Sequence, residues 1–391
     1  MRSPAEPVTD PANNRAPSFG REFFLSPSGW PYLLVPFIPL AIGLELAHAA
    51  AGLVFFSAAL GVIPTAALMG RATEEVAARS GPGIGGLLNV TFGNAPELII
   101  ALFALEAGLH EVVKASIIGS ILGNILLVMG AAMLAGGLVE GRKTQKFDRT
   151  AANIQSLMLF LAVAALVMPA VFELVEGKGL PGIGPERVTY DATVEHLSLA
   201  VAIVLIATYV IGLFFSLRTH RELFNPHSDD EPEHDDTWGW SVRTSVIALA
   251  VAGIAVGVMS EILVGSIEEA SEAVGLSEFF IGVIVVAIVG NAAEHWVAVL
   301  VAIKNKMDLS VNIAIGSSAQ VALFVAPVLV LTSFFLGPGP MPLVFNGFEI
   351  AAVIIAVLVA YQVTNEGESN WFEGVQLLAL YVILGLAFFY A

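Results

Sequence analysis

The chain has no cysteine among its 391 residues, which excludes disulfides, thiolate-held metals and cysteine nucleophiles. Charge is scarce too. Asp, Glu, Lys and Arg make up only 13%, about half the roughly 25% of an ordinary soluble domain. Basic residues are the scarcer sign, 17 Lys and Arg against 34 Asp and Glu, for a net charge of -17. That balance repels phosphate backbones and argues against nucleic acid as a partner. No His-Glu-x-x-His occurs, nor a cluster of three His or acids at zinc spacing, which speaks against a metal-dependent hydrolase. The stretch 1 to 28 carries Pro4, Pro7, Pro11, Pro17 and Pro27 and no apolar core after its first charges. It reads as a disordered tail and not as a cleaved signal peptide.

What is abundant is apolar. Hydrophobic residues reach 57%, mean hydropathy is +0.82, and the apolar residues come in runs of about 20, enough to cross a bilayer as a helix. The chain reads as an all-α polytopic membrane protein with lipid as its main solvent. Eleven segments stand out: 30 to 48, 50 to 70, 83 to 105, 112 to 138, 151 to 172, 193 to 217, 241 to 264, 279 to 303, 309 to 336, 343 to 363 and 371 to 390. A cytoplasmic amino terminus puts every Lys and Arg inside except Lys114, Lys178 and Arg187, the asymmetry of the positive-inside rule.

Sliding the sequence against itself by 197 residues superposes Gly93-Asn94-Ala95-Pro96-Glu97 on Gly290-Asn291-Ala292-Ala293-Glu294. The same offset lays Ile118-Gly119-Ser120 on Ile315-Gly316-Ser317 and Glu75 on Glu272. The expected organisation is a tail at 1–29, a first transmembrane helix at 30–49, a five-helix repeat at 50–217, a cytoplasmic acidic linker at 218–240 and a second five-helix repeat at 241–391. Five is odd, so the two copies are inverted, the plan of many secondary transporters, whose site lies at the repeat interface near the midplane. The acidic run from Asp229 to Asp236 reads first as a solvated connector.

Asn94 and Glu97 are three residues apart, as are Asn291 and Glu294, so on a helix each pair shares a face. Each pair sits near the centre of its span. An acid at that depth costs about 2.5 to 3.5 kcal/mol and normally marks an ion pathway or proton relay. Carboxylate, amide and hydroxyl oxygens form a hard-donor set suited to Ca²⁺, with Glu97 and Glu294 as its ligands and Ser120, Asn124, Ser317 and Gln320 on common faces of the following spans. Those four read equally well as interhelical glue. Pro96 is expected to free the carbonyl of Phe92, while Gly93 and Gly290 permit local unwinding; with Ala293 in place of Pro96, the kink need not be symmetric. Without metal, two close carboxylates in a low dielectric cannot both stay ionised, so one or both take protons. Metal binding then releases them. One site holds Ca²⁺ or H⁺ in turn, and if only loaded forms cross, the outcome is exchange.

The run 93–99, the run Val113 to Leu122, Gly290 to His295, Lys304 to Leu309 and Ile315 to Gln320 together resemble the two signature repeats of the Ca²⁺/H⁺ antiporters, within the cation/Ca²⁺ exchanger superfamily. The resemblance implies that Glu97 and Glu294 are the essential carboxylates, with Asn94, Asn291, Ser120, Ser317 and Gln320 around the pathway. It also implies that Glu74, Glu75, Glu268, Glu269 and Glu272 line the mouths; by sequence alone these five look like solvated helix ends. His295 follows the acid directly and either tunes the site or serves as a satisfied interhelical histidine. Transported Ca²⁺ and H⁺ are then substrates, no cofactor is implied, and the lipid bilayer is the surrounding partner, with a homo-oligomer compatible. The short, Ala-rich chain points to a prokaryotic cytoplasmic membrane. Three alternatives stay open: a Na⁺/Ca²⁺ exchanger, disfavoured because Gly-Asn-Ala stands where such relatives carry Gly-Thr-Ser; an intramembrane metal-dependent enzyme, disfavoured by the duplicated acid; and a passive channel.

Overall fold

A computed structural model describes residues 29–139, 144–183, 190–219 and 238–391. The tail 1 to 28, Arg142, Lys143, Arg187 and the linker residues 220–237, with their acidic run, lie outside the described residues. A 3₁₀ turn, Trp30–Leu34, leads into α1, Phe37–Leu46. There follow α2 (Ala51–Arg79), α3 (Gly81–Gly93), α4 (Ala95–Glu106), α5 (His110–Gly137), α6 (Arg149–Val175), α7 (Ala192–Thr219), α8 (Val242–Gly265), α9 (Ile267–Val274), α10 (Glu278–Ile303), α11 (Met307–Ser333), α12 (Gly347–Thr364) and α13 (Trp371–Tyr390). Two short strands, β1 (Gln145–Lys146) and β2 (Glu368–Ser369), pair antiparallel with Gln145 opposite Ser369.

The eleven apolar segments are largely helical, although 30 to 48 opens with the 3₁₀ turn, 83 to 105 is divided at Asn94 and 343 to 346 precedes its helix. Nine helices among the described residues are long and apolar enough to cross a membrane, and α3 with α4, bent by 42°, makes a tenth. The segment from Trp30 to Leu46 is apolar but shorter. Polar residues cap the helices where their first N–H groups run out of intrahelical partners. The Asp148 carboxylate accepts from Ala151 N–H, Ser241 from Thr244 N–H and Ser277 from Phe280 N–H. Asn346 and Glu349 close a reciprocal capping box on α12.

The bundle is ordered by how much of each helix meets protein rather than lipid. α5 and α11 are the most enclosed, and α7 and α13 the least. Ile117, Ile118, Ile121 and Ile125 of α5 are all buried in the main core with Ile315 and Leu329 of α11. In lipid, association rests on packing and small residues, because neighbouring tails are as apolar as leucine. Gly119 shows why: a Cβ there would meet the Val283 carbonyl at 2.0 Å, so only glycine lets α5 and α10 cross this closely. α2 packs most extensively along α8.

The two copies share one irregularity. α5 carries a π-helical turn at Gly123–Val128 and α11 one at Val321–Val325, at corresponding places in the 197-residue offset. π-turns inside α-helices concentrate at functional sites. Elsewhere the copies differ. α2 runs unbroken through Glu75 to Arg79, while its counterpart breaks at Ser266 into α8 and α9.

Candidate functional site

The bend in the first copy comes from its own sequence. Asn94 leaves helical geometry at φ -96°, ψ 18° and separates α3 from α4. Pro96 falls in the first turn of α4, where a missing N–H costs nothing. Glu97 occupies that same first turn, near the positive end of the helix dipole. The expectation that Pro96 frees the Phe92 carbonyl is corrected here: Phe92 accepts the N–H of Asn94, because the chain has already turned. In the second copy, Ala293 carries an N–H and α10 continues as α-helix from Ala287 to Ile303 through Gly290, Asn291 and Glu294.

The glycines have a role different from unwinding. A Cβ on Gly93 would sit 3.4 Å from Glu294 Oε1, and one on Gly290 would sit 3.2 Å from Glu97 Cγ and 3.8 Å from its Cδ. Each glycine makes room for the acid of the other copy. The two motifs therefore face each other, with Glu97 and Glu294 side by side across the interface. Hydrogen bonds tie the cluster together, three of them across the boundary between the copies. Asn94 Nδ2 donates to Gln320 Oε1, and Asn291 Nδ2 donates to Ser120 Oγ at 3.0 Å and to the Ala287 carbonyl at 2.9 Å. Ser317 Oγ donates to Glu294 Oε2 at 2.8 Å, and His295 Nε2 lies 3.1 Å from Asn124 Oδ1.

Three buried oxygens of this cluster have no hydrogen-bond partner: Asn94 Oδ1, Asn291 Oδ1 and Glu97 Oε2. Buried polar atoms are nearly always satisfied, so three orphaned oxygens in one cluster stand out as a set of hard donors. No group of three or more His, Cys, Asp or Glu able to hold a metal occurs among the described residues; the donors come from amides and hydroxyls as much as from carboxylates.

A cavity of about 410 Å³ reaches the cluster from one side. Glu294, Ser317, Gln320, Gly93, Gly290 and Pro96 form its inner wall, whereas Glu97 is not among its lining residues. Tyr32, Arg71, Glu74 and Asn312 also line it. Of the five acids expected at the mouths, only Glu74 lines this cavity. Glu268, Glu269 and Glu272 are exposed on or beside the short α9. Glu75 departs most: it is wholly buried, bonded to Arg79 at 2.9 Å and to backbone N–H groups of Trp238 and Trp240. It is no solvated helix end, because α2 continues a full turn past it and the 238–240 segment covers it.

Residues 50–218 and 244–390 match the family described as sodium/calcium exchanger protein. The chain belongs to that family. It is 46% identical over 373 residues to a Ca²⁺/H⁺ antiporter of Aphanothece halophytica, covering 91% of this chain and 95% of that one. It is 45% identical over 353 residues to the Ca²⁺/H⁺ antiporter ChaA of Bacillus subtilis, covering 90% and 96%. The solved Ca²⁺/H⁺ antiporter protein YfkE superposes with a TM-score of 0.75 at 41% identity, over 95% of this chain and all of that one. The protein is thus an integral, multi-pass membrane protein with the exchanger fold.

Sequence reasoning missed Arg71, Tyr32 and Asn312 as lining residues. Asn312 had a signal, one helical step before Ile315-Gly316-Ser317 on a shared face; Arg71 was counted only as an inside charge. It also missed a buried ionic cluster beyond the far end of α4. There Lys114, 1% exposed, reaches Glu111 Oε1 at 2.6 Å and the Val344 carbonyl at 2.9 Å, with the fully buried Glu349 close enough to act on its charge.

Proposed function

We propose that this chain exchanges Ca²⁺ for H⁺ across the membrane, the two ions competing for Glu97 and Glu294 in an alternating-access cycle. The observation that carries this reading is the reciprocal seating of each acid against the other copy's glycine, beside three orphaned amide and carboxylate oxygens. Close carboxylates in a dry site hold protons when empty of metal, and a divalent cation displaces them. Either loading brings the net charge toward neutrality, which lowers the cost of moving the site between faces.

The functional halves are 50–217 and 241–391, with 218–240 as a connector. The positive-inside asymmetry puts Arg71, Arg79 and the amino terminus in the cytoplasm, so the cavity admits ions from that side. The names of the bacterial relatives support transport over enzymatic turnover and a prokaryotic cytoplasmic membrane. Purified protein in sealed liposomes with an imposed pH difference decides the matter. Ca²⁺ accumulation driven by the proton gradient is the expected outcome, lost in Glu97→Gln and in Glu294→Gln. Robust Ca²⁺ flux on a Na⁺ gradient with no pH difference, or dissipation of a Ca²⁺ gradient without accumulation, would overturn it.

A further inference from the structure

The segment Trp238-Gly239-Trp240 packs over Glu75 and against Arg71 and Tyr32, two residues that line the cavity. Gly239 has φ +70°, a left-handed conformation that glycine adopts at little cost. It turns the N–H groups on either side toward one point, a concavity suited to an anion. The anion is Glu75. Its Oε1 accepts the N–H of Trp238 and its Oε2 accepts that of Trp240 at 3.1 Å, while Arg79 Nη1 donates to Oε2 at 2.9 Å. The turn fixes the indole of Trp238. Its ring lies 5.1 Å from the guanidinium carbon of Arg71 and 6.1 Å from the ring of Tyr32, with Trp240 edge-on at 5.3 Å.

Tyr32 and Arg71 line the cavity that leads to Glu294. Among the described residues, Arg71 is the only Lys or Arg lining it. A positive charge at the approach to a carboxylate site opposes a dication unless it is neutralised or held aside. Arg71 is both: Glu74 pairs with it at 3.1 Å, and the π face of Trp238 lies within cation–π range.

We propose that Glu75 is a positioning residue for cation access. Through the 238–240 turn it holds Trp238 against Arg71, and so keeps the guanidinium on the cavity wall, out of the path of the divalent cation. This rests on the reading that Ca²⁺ enters through this cavity. Without the indole, the guanidinium loses one of its restraints, the ion pair with Glu74 remaining, and lies more often nearer the acids, where it competes with the incoming ion. The effect falls on the apparent affinity for Ca²⁺ rather than on turnover, because Glu97 and Glu294 are untouched.

The test is the Ca²⁺ dependence of proton-driven uptake by the full chain in liposomes. Trp238→Ala raises KM about fivefold, the scale of one lost cation–π contact, with kcat within about twofold of wild type. Glu75→Gln moves KM the same way, and Trp238→Phe, which keeps an aromatic face, restores most of the wild-type value. The decisive arm is the Arg71→Met background, in which adding Trp238→Ala leaves KM unchanged because no guanidinium remains to swing. A similar rise in both backgrounds makes Trp238 a mere packing residue and overturns the proposal. If Glu75→Gln does not fold, the Trp238 and Arg71 variants, which alter half-buried side chains, decide alone. Wild-type protein that moves no Ca²⁺ overturns the functional reading, an outcome distinct from equal KM shifts.

Discussion

The two copies of the Gly-Asn-x-x-Glu motif bring their acids to one interface on different scaffolds. In the first, the helix breaks at Asn94 and restarts, so Glu97 sits in the opening turn of α4. In the second, α10 passes straight through and Glu294 projects from an unbroken helix. At this place the first copy carries Pro96 and the second Ala293. The difference teaches that the symmetry conserved between the halves is the position of the oxygens and not the path of the backbone. Access differs as well: Glu294 lines the cavity, whereas Glu97, which retains a buried oxygen without a partner, lies behind Gly290.

The largest effect should come from removing either acid. Glu97→Gln and Glu294→Gln are each expected to abolish proton-driven Ca²⁺ uptake in liposomes; retention of wild-type rates by one of them would show that the halves are not equivalent partners in binding. Next, the proline can be exchanged between copies. Ala293→Pro removes an interior hydrogen bond and forces a kink, at a cost of about 3 kcal/mol, and should reduce both thermal stability and uptake. Pro96→Ala falls where the N–H lacks a helical partner, so its stability should stay within about 0.5 kcal/mol of wild type. Equal losses in the two would mean that the bend at Asn94 depends on the proline ring.

The glycines sharpen the comparison further. Gly290→Ala brings a methyl group against the Glu97 stem at 3.2 Å with an isoleucine behind it, and should lower uptake about tenfold by displacing the acid. Gly93→Ala meets Glu294 Oε1 at 3.4 Å, the movable end of a side chain facing open cavity, and should cost about threefold. The reverse order, read from initial rates, would show that Glu294 is the more tightly held acid. The smallest effect belongs outside the interface. Lys178 meets Asp191 and Glu176 at an exposed position and lies 3.9 Å from the buried Glu173. Lys178→Ala should leave uptake at the wild-type value and lower the melting temperature slightly, because the exposed pairs contribute little while the buried carboxylate loses a cation.

Much of this was legible before any coordinates. The eleven apolar runs are largely helical, nine of the helices among the described residues long and apolar enough to span, because in lipid a run of about 20 apolar residues satisfies its own backbone polar groups only as a helix, strands needing a closed barrel. The offset of 197 residues found the acids, their amides and the Ser120 and Ser317 hydroxyls that the fold brings into one cluster, because a duplicated segment repeats its polar positions at a fixed spacing. Less legible was Glu75. Its alignment with Glu272 suggested like roles, yet one is buried under a turn and the other exposed. Burial of an ionisable group depends on what covers it, and the cover here arrives from residues more than 160 positions away. Lys114 was likewise read only as an outside charge, while its partners come from α5 itself and from the segment before α12.

The sequence by itself determined the solvent, the helices, the duplication and the identity of the paired acids, since each of these is written in local composition or in a fixed spacing. The tertiary structure decided which glycine faces which carboxylate, which oxygens are left without partners, which acids meet water and where Arg71 rests. These depend on how helices far apart in the chain cross within a few ångströms, and no property of a single segment encodes that distance.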